Sequence, residues 1–347
     1  MRISFEIIEI KKRYPLRISR GISTGSKNLF VFIEEAGEIG IGECAPGTGD
    51  SDDSYAVQTK EILESHVDVI SKIQAPMFVW KELKRAGIKG SAMAGVDIAI
   101  WDLLAKQAKM PLYKMLGLPK PRVPTSVTIG INPEEVIRER VPEILSRTQA
   151  KALKIKLGNP EGTGADRASY EVCREVALPF GVKLRVDANG GWVGSDIESM
   201  IEWLSTRDCD YVEQPVAAGQ ESEILTFFDR RKLPIFLDES ICTSQDVVRF
   251  GNLCDGINLK LMKTGGITEA LRLNSTARAF GLKTMIGCMG ETNIAISAGA
   301  SLGALFDHID LDSHLNLDPD PAKGAELVDG VVLPAECPGH GASLIKP

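Results

Sequence analysis

The 347-residue chain contains no apolar run approaching the roughly 20 residues that a membrane helix needs. Its opening, Met1-Arg2-Ile3-Ser4-Phe5-Glu6, lacks the apolar stretch of a secretory signal, so no membrane partner is expected and the cytoplasm is the expected compartment. Basic excess is also missing. At a net charge of -7 there is no cationic footprint for nucleic acid. The seven cysteines form no CxxC pair, which argues against a disulfide framework and against a structural zinc site. They should stay reduced, most of them in the core, and none has the His/Asn context of a nucleophile.

The length suits two domains, or one large barrel with an appendage. Strand-like text covers Ile3 to Ile10, Asn28 to Glu34 and Ile39 to Glu43, and the Gly/Ser-rich stretch Arg17 to Ser26 reads as a mobile loop able to cover a site. Helical periodicity follows over 53–72 and 91–109, the latter through Met93, Val96, Ile100, Leu103 and Leu104. Leu118 to Pro124, with three prolines, is the natural boundary. The expected division is an α+β capping domain over 1–122 and a barrel over 123–319, with a tail from about 320 to 347 packing back toward the cap.

Beyond the boundary, short apolar runs alternate with helical patterns: Val127 to Ile129, Ala152 to Leu157, Lys183 to Val186, Tyr211-Val212, Ile235 to Leu237, Gly256 to Leu259, Lys283 to Ile286 and His308-Ile309. Eight such units close into a (β/α)8 barrel, whose chemistry sits at the C-terminal ends of the strands. The residues closing these runs are ionisable, with Lys154 and Lys156, Asp187, Glu213, Asp238, Lys260, and Asp310 with Asp312 recurring in step with the βα unit. A purely structural role predicts no such phase.

Three carboxylates that converge cannot all stay ionised without a cation. Oxygen donors on rigid strands favour Mg2+, so Asp187, Glu213 and Asp238 are expected metal ligands, with Asn189 and Gln214 orienting them. Lys154 and Lys156 lie two apart and share a strand face, where mutual repulsion lowers proton affinity and makes a base. Lys260 falls on the other side of the metal in barrel order. A substrate carboxylate on the ion would then hold its α-carbon between Lys156 and Lys260, and one lysine could remove the α-proton while the other returns it from the opposite face. The extra charge of the enediolate would fall on the metal. Lys154 is expected to tune Lys156 and to touch the substrate carboxylate.

Lys154-Ile155-Lys156, Val186-Asp187-Ala188-Asn189, Val212-Glu213-Gln214-Pro215, Asp238-Glu239-Ser240 and Asn258 to Gly266 resemble the enolase superfamily, muconate-lactonizing-enzyme subgroup, whose sites pair such bases with Mg2+. The likeness extends to Ala94 to Leu103 in the cap, where Asp97 and Asp102 are expected to serve packing and capping. Within the subgroup, Asp310-Leu311-Asp312 resembles the DxD motif with which dipeptide epimerases hold a substrate's free α-ammonium group, and Ile286 to Thr292 resembles their seventh-strand segment. The resemblance implies an epimerase acting on the C-terminal residue of an L-Ala-Xaa dipeptide, with L-Ala-D/L-Glu expected from an arginine in the capping loop. Arg20 is the assigned position and Arg17 its competitor. N-acylamino acid racemases, o-succinylbenzoate synthases and muconate cycloisomerases share the lysines and remain alternatives, as does a barrel that binds metal without catalysis. Relatives form dimers or octamers, so a homo-oligomer stays open.

Overall fold

The computed structural model describes residues 1–47, 54–72 and 75–345. The chain opens with an antiparallel sheet of β1 (Arg2–Ile18), β2 (Gly21–Glu35) and β3 (Glu38–Cys44). The stretch expected to be a mobile loop is instead the end of a long hairpin. After a register shift between Lys11 and Leu16, pairing resumes through Leu16↔Ser23 to Ile18↔Gly21, so that only Ser19-Arg20 turns. Glycine and serine weigh against a strand by local propensity, but ladder pairing outweighs that preference. Contacts to the barrel reinforce it, with the Ile131 N–H donating to Arg17 O at 2.8 Å and Ser19 Oγ to Asn189 O at 2.9 Å.

The expected helix over 53–72 is two pieces, Ser54–Glu64 and Val67–Ile70, and residue 53 lies outside the described residues. A helix over Pro76–Arg85 went unread in the sequence, although Pro at its first turn and the buried Val79 and Leu83 mark it. The long helix Gly90–Gln107 buries most of its surface and lies directly on β3. Glycines permit that approach: a Cβ at Gly42 would stand 1.9 Å from Gly95 O, and one at Gly40 2.0 Å from Ala99 O.

The eight apolar runs become β4 (Ser126–Ile129), β5 (Ala152–Lys156), β6 (Lys183–Asp187), β7 (Cys209–Glu213), β8 (Ile235–Leu237), β9 (Gly256–Lys260), β10 (Lys283–Gly287) and β11 (His308–Asp310). They form one parallel sheet in sequential order. A Thr125↔Ile309 bridge joins its two ends, so the sheet is an almost closed barrel. Inside the barrel, Tyr211, Phe236 and Met285 fill one layer, with the Tyr211 and Phe236 rings 4.5 Å apart. The polar layers lie beyond it, toward the strands' C-terminal ends.

Two buried aspartates join the domains. Asp102 accepts the Ile41 N–H at 2.9 Å and the His340 N–H at 2.8 Å, and pairs with Lys106 at 2.7 Å. Asp97 accepts the Thr268 N–H at 3.0 Å, and Trp101 Nε1 donates to Thr268 Oγ1 at 3.0 Å. The tail returns to the cap, where Gly339 exchanges backbone hydrogen bonds with Met110 and Leu112. Residues 346–347 of the expected tail lie outside the described residues. The cysteines are unpaired, with four buried and Cys337 exposed. No helix among the described residues is long and apolar enough to cross a membrane.

Candidate active site

Strand register assembles the site. Lys156 of β5 pairs across from Asp187 of β6, and Asp187 from Glu213 of β7. On the far side, Gly287 of β10 faces both Lys260 of β9 and Asp310 of β11. These residues make one ring at the C-terminal rim, and Asp238 joins it one residue beyond β8. Alternation along β5 sends Lys154 to the layer below, facing inward like Lys156. Gly287 contributes no side chain to the ring because Asn258 occupies the space: a Cβ there would stand 2.6 Å from Asn258 Oδ1.

Asp187, Glu213 and Asp238 are fully buried, and each offers a ligand oxygen within 4.8 Å of the others. Their neighbours hold them at both ends. Lys156 Nζ donates to Asp187 Oδ2 at 2.6 Å and Lys260 Nζ to Asp238 Oδ2 at 2.6 Å. Asn258 Nδ2 donates to Glu213 Oε1 at 2.8 Å, while Glu213 Oε2, 2.8 Å from Lys154 Nζ, accepts no hydrogen bond. Asn189 N–H donates to Asp187 Oδ1 at 2.8 Å, and Gln214 Oε1 accepts the Asp238 N–H at 2.7 Å. Both Asn189 and Gln214 sit at left-handed φ, 44° and 37°. Strained backbone of this kind clusters at functional sites, where it aims side chains.

With only the chain's own charges present, burial and the adjacent Asp187 push the Glu213 carboxyl up to about 8. Burial would raise Asp187 and Asp238 too, but Lys156 and Lys154 outweigh it at Asp187, and Lys260 and Lys263 at Asp238, holding both well below the usual carboxylate range. A buried acid left ionisable and lacking a hydrogen bond at one oxygen, between two anionic acids, is a donor set suited to a hard divalent cation. Lys154, expected to tune Lys156 and to touch the substrate carboxylate, lies among three acids. Lys154 Nζ lies 2.7 Å from Asp310, 2.8 Å from Glu213 and 3.3 Å from Asp187, and although burial lowers its proton affinity, these acids raise it well above the lysine value. Lys260 is likewise raised, by Asp238 against burial.

Asp310 and Asp312 both line the cavity at the mouth, about 590 Å3 in volume, that Lys154, Lys156 and Lys260 also line. Their environments differ. Asp310 bonds Lys154 and accepts from Ser126 Oγ at 2.5 Å, and Lys154 holds it below its usual value despite burial. Asp312 accepts the Thr128 N–H at 2.7 Å and is pushed up to about 6 by burial and by Asp310. Arg20 reaches the same cavity from the hairpin turn, donating to Asn189 O at 2.8 Å and to Glu239 at 2.5 Å. Arg17 does not: alternation places it on the exposed outer face with Lys11 and Arg13.

Residues 2–117 match the mandelate racemase/muconate lactonizing enzyme N-terminal domain, and residues 136–346 match the enolase C-terminal domain-like family. The chain belongs to the enolase superfamily. A hydrophobic dipeptide epimerase of Roseobacter litoralis is 52% identical over 345 residues, 99% of either chain. An L-Ala-D/L-Glu epimerase of Bacteroides thetaiotaomicron is 33% identical over 99% of this chain and 88% of its own. Among solved structures, the Enterococcus faecalis dipeptide epimerase complexed with Mg and L-Leu-L-Tyr aligns with a TM-score of 0.87 at 31% identity, covering 99% of each chain.

Several further side chains around the acids carry little or no local sequence signal. Lys263 donates to both a carboxylate oxygen and the backbone of Asp238, and to Asn258 O at 3.0 Å. Its position one helical turn after Lys260 was the available signal. Asn258, two before Lys260 on the same strand face, could have been found by the same alternation that found Lys154. Glu239 and Ser126 carry no spacing signal, because their partners, Arg20 and Asn189 for the one and Asp310 for the other, are distant in sequence.

Proposed function

We propose that the protein is a Mg2+-dependent dipeptide epimerase that inverts the α-carbon of the C-terminal residue. The observation that carries this reading is the placement of Lys156 and Lys260 on the second and sixth of eight barrel strands, hence on opposite walls, with hydrogen bonds to the two outer members of a three-acid cluster. Asp187, Glu213 and Asp238 would hold the ion, which when bound anchors the substrate carboxylate and offsets the negative charge that builds there as the α-proton leaves.

Lys156 and Lys260 then face the α-carbon from either side. One, neutral, accepts the proton, and the other, as ammonium, delivers one to the opposite lobe, so the centre inverts and the lysines exchange protonation states. For that step Lys156 and Lys260 would have to leave the carboxylates of Asp187 and Asp238 that they now bond, carboxylates that would instead hold the ion. Asp310 and Asp312 would receive the substrate's α-ammonium group, and Lys154 would remain below, neutralising Asp310 and Glu213.

The second residue's side chain is read as uncharged. Arg20 is already matched by Glu239, so it brings little free positive charge, and Leu16, Ile18 and Met289 are among the residues that line the cavity. The 52% identity to a hydrophobic dipeptide epimerase supports the same reading. The rival reading, L-Ala-D/L-Glu, is favoured by the position of Arg20 in the cavity wall. Incubation with Mg2+ in D2O decides: L-Ala-L-Leu should gain deuterium at the Leu α-carbon and yield the D-epimer faster than L-Ala-L-Glu. Faster turnover of L-Ala-L-Glu selects the rival, and no exchange across a dipeptide library with metal bound removes the epimerase reading.

A further inference from the structure

The hairpin places two basic residues over the cavity, and among the described residues only one of them has an acid. Arg20 lies over the β6–β8 side, bonded to Asn189 and Glu239. Lys12 lies over the opposite side. Alternation along β1 turns it inward with Tyr14 and Leu16, while Lys11 and Arg13 stay exposed. Its Nζ donates to Ser23 Oγ at 2.6 Å, and among the described residues no carboxylate reaches it. An ammonium group has three donors, so two remain for the cavity. Burial without a neighbouring acid lowers its proton affinity to about 8, the sign of a cation short of a counter-charge.

The neighbourhood of Lys12 belongs to the segment that follows β10, which ends at Gly287. A Cβ on Gly290 would stand 3.9 Å from Lys12 Nζ and 3.7 Å from Ser26 Oγ, so Gly290 lies within van der Waals reach of the ammonium. Cys288, two residues earlier, lies 3.8 Å from Asp312 Oδ1. This inference rests on the proposed epimerase reading: with the substrate's α-carboxylate toward the acids of β6–β8 and its α-ammonium toward Asp310 and Asp312, Lys12 borders the amino-terminal residue. We propose that Lys12 sets specificity for the amino-terminal side chain, favouring acidic side chains that accept its free donors and rejecting cationic ones. A second cation beside Lys12 would find repulsion and no acceptor, whereas a carboxylate supplies the missing partner.

The test compares wild type, Lys12→Met and Lys12→Arg in Mg2+ by deuterium incorporation. Three dipeptides differ only in an amino-terminal L-Glu, L-Ala or L-Lys, and the C-terminal residue is whichever of Leu or Glu turned over faster above. Wild type should prefer the L-Glu over the L-Lys dipeptide in kcat/KM. Lys12→Met should lower that ratio by about tenfold or more, and Lys12→Arg should keep it within about threefold. An unchanged ratio in Lys12→Met overturns the proposal and leaves the epimerase reading standing, as does an equal loss on all three dipeptides by a variant that melts like wild type. If Lys12→Met does not fold, Lys12→Gln takes its place with the same expected ratio. No exchange of any of the three by wild type fails the epimerase reading first and this proposal with it.

Discussion

Two groups of buried acids in the molecule are treated in opposite ways. At the joint between cap and barrel, Asp102 accepts two backbone N–H groups and a lysine, and Glu43 accepts Asn28, the Thr292 backbone and hydroxyl, and the Ala295 N–H at the start of the helix Asn293–Leu302. At the barrel mouth, Asp187, Glu213 and Asp238 face one another, and Glu213 keeps an oxygen without a hydrogen bond. A buried carboxylate surrounded by backbone donors is a fastener, whereas several that share space with one another and with lysines store electrostatic free energy that only a ligand can release. Burial alone does not tell the two apart; the partners do.

Catalytic substitutions should separate them most sharply. Lys156→Ala and Lys260→Ala should each abolish inversion, a loss of about 10²–10⁴-fold in kcat/KM by stereospecific assay, while single-direction deuterium exchange survives in at least one variant. Normal inversion by both would break the two-base assignment. Their melting temperatures should stay within a few degrees of wild type.

At the joint the expectation is reversed. Asp102→Ala leaves the N–H groups of Ile41 and His340 without acceptors, while Lys106 keeps its bond to Ile39 O, and should cost about 2–6 kcal/mol in denaturant unfolding. Stabilisation by added Mg2+ should persist in this variant, and its loss would mean that joint and mouth are one cooperative unit. Glu213→Gln should do the opposite: a stability in chelator at or above wild type, and loss of the roughly 2.7 kcal/mol that a cation at 100 times its Kd provides. Because the Glu213 carboxyl is raised to about 8, its contribution in chelator is present below the unfolded value and is lost as pH rises through 8. Wild type should therefore weaken between about pH 5 and 8 relative to Glu213→Gln, a trend that a pH series of unfolding midpoints would reveal.

The smallest effect belongs to Asp97, which burial pushes up to about 7 although it accepts the Thr268 N–H. The same sign applies, so Asp97→Asn should gain on wild type by about 1 kcal/mol between pH 6 and 8. A constant difference across that range would mean that Asp97 does not titrate there.

Legibility followed the range of each interaction. The eight barrel strands could be read because a parallel strand buried on both faces is a short apolar run whatever its neighbours are. Each ionisable residue at a strand end was visible through its phase. The hairpin over 17–26 was misread, since its strand character comes from pairing between segments and not from Gly and Ser. The role of Lys154 was incomplete because Asp310, 156 residues away in sequence, reaches it only across the closed barrel.

Sequence alone determined the alternation of strand and helix, the ionisable residue ending nearly every barrel strand and the family to which they belong, because period and spacing are local properties of a chain. Tertiary structure decided which acids are fasteners and which form a cluster, that Arg20 is matched by Glu239 while Lys12 meets no acid among the described residues, and that Lys156 and Lys260 stand on opposite walls. Those facts depend on barrel closure and on the seating of the cap. Electrostatic partnership falls off over a few ångströms of space, and distance along the chain does not measure it.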